Sequence, residues 1–196
     1  MIPKNIFTIW ISEKELPKQM AKWCKTHVVE GYEHKMITLD NCFKDSKYLK
    51  EAVTAKKWVK VTDYLRIYYL YKQGGIYLDC DMEILRPLDG LLNNDMFVCR
   101  EDSSVIANSV IGAKKGHPLL KIYLDTVENN FRGDGNFIFE SAERLFTDLI
   151  LGMYGKLGGV TTYSAEYFFP LDEKTDREEI TKNTYAYHHF SRSWKK

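Results

Sequence analysis

Asp79-Cys80-Asp81 follows a glycine turn and a short apolar run, Gly74-Gly75-Ile76-Tyr77-Leu78, so a buried strand ends in two acids. Like charges gathered at a sheet end are unfavourable unless a cation or strong donors sit between them. Residues two apart on an extended strand share a face, which aims both carboxylates at one point. Two hard oxygen ligands there suit Mg²⁺ or Mn²⁺, ions that keep positions open for substrate phosphates. The pattern predicts a metal site that receives a diphosphate. D-x-D alone is short and common, and two solvated acids on a surface turn are the competing reading.

The segment just before it favours the site. Projected as a helix, Trp58 to Gln73 carries one apolar stripe of Trp58, Val61, Leu65, Tyr68 and Tyr69 and a second of Val59, Ile67 and Leu70. Asp63 and Arg66 fall inside the second stripe, so both charges are expected in the interior. At i,i+3 they can be a plain helical ion pair. A buried pair rarely improves stability over apolar residues, which favours a use in function. An Arg fork suits a diphosphate or sugar hydroxyls, and an Asp suits sugar hydroxyls.

Two further positions carry chemistry. Trp10 sits in the run Asn5 to Ile11 and serves either as core or as a ring that stacks on a nucleobase near the strand end. The tail His188-His189-Phe190-Ser191-Arg192-Ser193-Trp194 offers a third metal ligand from either histidine, with Ser or Trp reaching a phosphate.

The elements that must position these residues alternate. Asn5 to Ile11 reads as a buried strand, Leu16 to Val29 as a helix, His34 to Leu39 as a strand, and Asp45 to Lys57 and Trp58 to Gln73 as helices. The order gives an α/β domain with a largely parallel sheet. Met82 to Leu85 reads as an edge segment, Asp95 to Arg100 and Val105 to Ala113 as strands, and Pro118 to Phe131 and Ser141 to Leu151 as helices. Gly152 to Gly159 reads as a loop. No repeat or linker interrupts the chain, so residues 1–196 are read as one domain.

Bulk properties narrow the function classes. The 196 residues carry 28 basic and 27 acidic side chains, a formal net charge of +1, which argues against broad phosphate neutralisation of a nucleic acid. Cys24, Cys42, Cys80 and Cys99 form no C-x-x-C pair, so neither a zinc nor a thioredoxin reading applies. No secretory signal and no membrane-length apolar run is visible, and a soluble cytoplasmic protein with reduced thiols is the expectation.

Together these residues resemble bacterial members of glycosyltransferase family 32, sugar transferases with a DxD motif. The likeness runs through I-P-K-N-I-F-T-I-W, D-Y-L-R-I-Y-Y-L-Y-K-Q-G-G-I-Y-L-D-C-D-M-E, N-S-V-I-G-A-K-K-G-H-P and H-H-F-S-R-S-W. It implies a GT-A fold, a Rossmann-like mixed sheet flanked by helices. It also implies a metal-dependent, retaining transfer of a sugar from a nucleotide-diphosphate sugar, UDP-linked in the first instance. The acceptor would be a saccharide or lipid-linked saccharide of a surface polysaccharide, capsule or glycolipid. By position, Asp81 would be the main metal ligand, with Asp79 contacting donor ribose and sugar as well as metal. Asp63 and Arg66 would hold the donor sugar, with Asp63, Arg66 and Asp79 forming the catalytic set. Trp10 would stack on the base, Asn108 face the donor sugar or acceptor, His188 or His189 complete the Mn²⁺ or Mg²⁺ shell, and Trp194 lie near the β-phosphate. A Thr-Gly-Pro segment common in the family is replaced by Gly133-Asp134-Gly135-Asn136.

Two rivals stand beside this reading. A haloacid-dehalogenase-like phosphatase also ends a strand in D-x-D, but Glu83 stands where it normally has Thr or Val. A non-catalytic sugar-nucleotide-binding module is the other. The basic pairs Lys56-Lys57 and Lys195-Lys196 allow at most peripheral contact with the inner face of a membrane.

Overall fold

The computed structural model describes residues 1–102, 105–133, 142–154, 159–172 and 175–191. The apolar opening forms strand β1, Asn5–Trp10. Helix α1, Lys18–Cys24, follows and tightens into a 3₁₀ turn over Lys25–His27. This is shorter than the helix expected from Leu16 to Val29. Pro17 sits at the N-cap with extended ψ, and the 3₁₀ turn ends as Thr26 and His27 turn to other partners. Next come β2, Glu33–Thr38, and α2, Lys47–Thr54, capped where the Ser46 hydroxyl accepts the Leu49 N–H at 2.9 Å.

Helix α3, Trp58–Gln73, buries Asp63 and Arg66 as its two-striped pattern predicts, although Val59 is exposed. Gly74 ends it at φ +69°, returning its N–H to Leu70. Gly75 then opens β3, Gly75–Leu78, at φ +133°. A Cβ on Gly75 would lie 2.6 Å from the Asn5 carbonyl, so only glycine lets β3 start against β1. The remaining elements are β4 (Met82–Ile84), β5 (Met96–Arg100), β6 (Ile106–Ala113), α4 (Pro118–Asn130), α5 (Ala142–Leu149), β7 (Val160–Tyr163), β8 (Leu171–Asp172), β9 (Arg177–Glu178) and β10 (Ala186–His188).

Six strands make the central sheet in the order β2-β1-β3-β6-β5-β7. β1 runs parallel to β2 and β3, and β5 to β7, while β6 is antiparallel to both β3 and β5. The sheet is thus mixed, as the family resemblance implies, and less parallel than element order alone suggests. Strand alternation splits the interior into two cores. Phe7, Ile9, Tyr77, Met96 and Val98 join one with residues of α2, α3 and α4; Ile6, Ile76, Leu78, Phe97 and Cys99 join the other with Met82 and Phe168. Burial on both faces explains why β1 and β3 read as continuous apolar runs. β4 and β10 pair antiparallel as a separate ribbon, with His188 opposite Met82. Among the described residues, no helix is long and apolar enough to cross a membrane.

Candidate active site

β3 stops at Leu78, one residue before the first acid. The Asp79 N–H still donates to the Ser109 carbonyl of β6, but the Met82 N–H turns back onto the Asp79 carbonyl at 3.0 Å. Asp79 to Met82 is therefore a tight turn, and the two acids do not meet through a shared strand face as the spacing suggests. The turn brings them together instead. Ligand atoms of Asp79, Asp81 and His188 all lie within 4.8 Å of one another.

The β4–β10 ribbon delivers the histidine and selects between the two candidates. His188 Nε2 is 3.3 Å from Asp81 Oδ1. Its neighbour His189 pairs with Glu83 at 2.9 Å and stacks on Trp23 with ring centroids 4.0 Å apart. Ser191 closes the other side, its N–H and Oγ donating to Asp81 Oδ2 at 2.9 and 2.8 Å. Burial alone would raise the Asp81 pKa. The His188 hydrogen bond and charge, with the Ser191 donors, outweigh it and hold the carboxyl below the usual range. His188 responds in kind: burial lowers its pKa, but the Asp81 contact wins and raises it.

The second half of the site hangs on Arg66. Its guanidinium reaches Asp63 Oδ1 at 3.1 Å, Asp79 Oδ1 at 3.5 Å and the Asn108 carbonyl at 2.6 Å, and lies 4.7 Å from the centre of the Tyr77 ring. Asn108 Nδ2 in turn donates to Asp63 at 3.4 Å. Asp63, Arg66, Asp79 and Asn108 thus form one connected group spanning α3, β3 and β6. Burial raises the pKa of both Asp63 and Asp79, and Arg66 opposes it in each case. The Arg66 proton is held more firmly than usual, since Tyr77, Asp79 and Asp63 outweigh its desolvation.

Tyr77 escaped the sequence reading, where it counted as one more apolar strand residue. Its hydroxyl donates to Asp79 Oδ1. The signal was present in the spacing, because Tyr77 and Asp79 are two apart on the same run. Ser191 was named only as a phosphate contact, and it is the tail's direct anchor on Asp81. Trp10 is half-buried at the same sheet end, its indole N–H donating to the Lys14 carbonyl at 2.8 Å, packed on Met20, Cys24 and Cys80. Trp194, Arg192, the basic pair Lys195-Lys196 and Asp134 to Asn136 lie outside the described residues. Lys56, of the other basic pair, is bonded to Glu13 at 2.8 Å.

These donors fit a divalent cation. Two carboxylates and an imidazole form a mixed oxygen–nitrogen set, the Asp79 side chain keeps 28% of its surface open, and His188 Nδ1 is buried without a hydrogen-bond partner. Bound charge at that point would relieve the repulsion between Asp79 and Asp81.

Comparison with known proteins points the same way. Residues 9–98 match the family model described as glycosyltransferase sugar-binding region containing DXD motif. Over 105 residues the chain is 39% identical to inositol phosphoceramide mannosyltransferase 3 of Schizosaccharomyces pombe, covering 50% of this chain and 29% of the yeast protein. It is 25% identical over 156 residues to the initiation-specific alpha-1,6-mannosyltransferase of Candida albicans, covering 61% and 40%. The chain therefore spans less than half the length of either relative. Among solved structures the PaToxG glycosyltransferase superposes with a TM-score of 0.63 at 20% identity, covering 80% of this chain and 71% of the other. That likeness establishes the GT-A fold.

Proposed function

We propose that this chain, a family-32-type DxD glycosyltransferase by its matched region and its GT-A fold, transfers a sugar from a nucleotide-diphosphate donor to a saccharide acceptor. The observation that carries the proposal is the convergence of Asp79, Asp81 and His188 beside the Asp63–Arg66–Asn108 group. Asp81, Asp79 and His188 would hold the divalent ion, and the imidazole favours Mn²⁺ over Mg²⁺, which prefers oxygen shells. When bound, that ion supplies positive charge for the departing diphosphate.

The chain's own groups do the rest. Arg66 and Tyr77 both hold Asp79 at Oδ1, so the carboxylate is aimed before substrate arrives. Asp63 and Asn108 present a carboxylate and an amide for sugar hydroxyls at the same place. Asp63 is tied to Arg66 and Asn108 and only 7% exposed, which favours sugar orientation over attack as a nucleophile. Retention of configuration then follows by departure and attack on one face of the sugar. Trp10 provides a ring for the base at the end of β1.

The donor sugar is first sought among UDP-linked hexoses, with nucleotide-linked mannose beside them because two relatives bear mannosyltransferase names. A surface polysaccharide or glycolipid precursor at the cytoplasmic face is the proposed acceptor. A thermal-shift panel of nucleotide sugars, with and without Mn²⁺, tests the reading. One donor should raise Tm only with Mn²⁺, and mixing it with saccharides should release the nucleotide diphosphate. Absence of any nucleotide-sugar effect, or turnover of phosphate monoesters instead, would overturn it.

A further inference from the structure

Tyr64, Tyr68 and Tyr71 recur at helical spacing on α3, on a side that Asp63 and Arg66 do not share. Asp63 and Arg66 turn to Asn108 and Asp79, whereas the three tyrosines meet α4 and the segment that leads into α2. Between these elements lies a cleft of about 290 Å³. That is the small end of the ~300–1,000 Å³ typical of ligand sites. The donor site uses none of its residues, and α3, about 10–12 Å across with its side chains, stands between the two.

The lining combines stacked rings with partnered charges. Phe43 and Tyr68 lie face to face, ring centroids 4.0 Å apart and 6° from parallel, and Tyr64 stacks on Tyr68 at 6.4 Å. Phe43, Tyr68 and Tyr71 are half-buried. Tyr64, only 5% exposed, anchors the row with its hydroxyl donating to Glu128 at 2.8 Å. Lys121 pairs with Asp125 at 2.6 Å and Asp45 with Lys50 at 3.8 Å, and the Lys72 ammonium lies 5.8 Å from the ring centres of both Tyr68 and Tyr71. With its charges offset in this way, the cleft selects for neither an anion nor a cation. Half-buried tyrosines suit a ligand with an apolar face and a wet edge.

We propose that this cleft is a second saccharide site, which holds a sugar unit of the acceptor glycan away from the reacting end. A pyranose matches the lining on both counts. Its C–H face lies on the Tyr68 and Tyr71 rings, and its rim of hydroxyls meets Glu128, Asp125 and Lys72, where charge-assisted hydrogen bonds are strong. A second copy of the chain would need a broad apolar face to associate stably, and this cleft is small and rimmed by charged side chains. Because α3 separates the two sites, one acceptor reaches both only as an oligosaccharide.

The choice of a glycan as occupant rests on the proposed transferase reading, and the experiment separates the two. Short oligosaccharides of glucose, galactose and mannose are titrated into the full chain by saturation-transfer NMR, without Mn²⁺ or nucleotide. The native chain, Asp81→Ala, Tyr68→Ala, Tyr68→Phe and Lys72→Ala are compared, each checked for folding by urea denaturation. Expected is a saccharide that binds native and Asp81→Ala chains alike, binds Tyr68→Ala at least about fivefold more weakly, and stays within about twofold for Tyr68→Phe, which keeps the ring. The exposed Lys72→Ala, which leaves the packing intact, should also weaken it and so guards against a misfolded Tyr68→Ala. Binding lost in Asp81→Ala would put the saccharide in the donor site and overturn the proposal. So would binding of no saccharide, equal binding by all variants, or a dimer in sedimentation that Tyr68→Ala dissolves. Nucleotide-sugar binding with no saccharide in the cleft leaves the transferase reading standing while this inference falls.

Discussion

Arg66 and Asp79 stand 3.5 Å apart, one on the buried side of α3 and the other at the end of β3. The contact joins the helix before the double glycine to the turn after it, and the same guanidinium also reaches Asp63 and the Asn108 carbonyl. One cation thus contacts two carboxylates and offsets part of the burial that pushes both toward neutrality.

Removing that cation should be costly before any substrate is added. Arg66→Ala leaves Asp63 and Asp79 without their partner and is expected to lower unfolding free energy by about 3–5 kcal/mol. Arg66→Lys keeps the charge but loses the fork, and should recover part of it. Urea denaturation of the three proteins at neutral pH reads this. Equal stabilities would refute the role assigned to Arg66.

The two adjacent histidines should separate cleanly. His188→Gln is expected to weaken Mn²⁺ binding at least about tenfold, while His189→Gln, which loses Glu83 and the Trp23 stack, stays within about threefold. Calorimetric titration of Mn²⁺ decides it, and the reverse ranking would move the ligand to His189.

Stability should fall as the solution becomes mildly acidic, through His27. That ring is fully buried, accepting the Thr8 hydroxyl at Nδ1 (2.7 Å) and donating from Nε2 to the Met82 carbonyl (2.8 Å). Burial outweighs the Met82 bond and pushes its pKa down to about 4, below the ordinary 6.5. A depressed folded value means the unfolded chain takes the proton first. The contribution is intact above pH 6.5 and is lost as pH drops toward 4, about 3 kcal/mol at most. Unfolding measured at pH 7 and pH 4.5 should show a larger loss for the native chain than for His27→Gln. An identical loss would contradict the assignment.

Gly75→Ala should be disruptive out of proportion to its size. The position holds φ +133°, and the added carbon would sit 2.6 Å from the Asn5 carbonyl. Strain and overlap together are expected to cost at least about 2 kcal/mol, seen as a lower urea midpoint. An unchanged midpoint would mean that β3 does not enter the sheet as described.

Much of this was legible in the chain itself. β1, α3 and β3 stand out because burial on both sides leaves largely apolar runs, and the two charges that fall within the buried stripes of α3, Asp63 and Arg66, sit in the site. The convergence of Asp79 and Asp81 was foreseen for the wrong reason, since a turn rather than the strand pleat creates it. The choice of His188 over His189 depends on the register of β10 against β4, a long-range pairing that local spacing does not encode. The antiparallel insertion of β6 between β3 and β5 is likewise a tertiary fact. His27 looked like an ordinary interior residue because its partners, Thr8 and Met82, are distant in the chain.

Mn²⁺ titrated into the chain with saturating UDP, for the native sequence and for Asp81→Ala, reaches the core of the account most directly. The native chain should bind one ion whose affinity rises with the nucleotide, and Asp81→Ala should lose at least about a hundredfold while remaining folded. Equal Mn²⁺ affinities for the two proteins would contradict it.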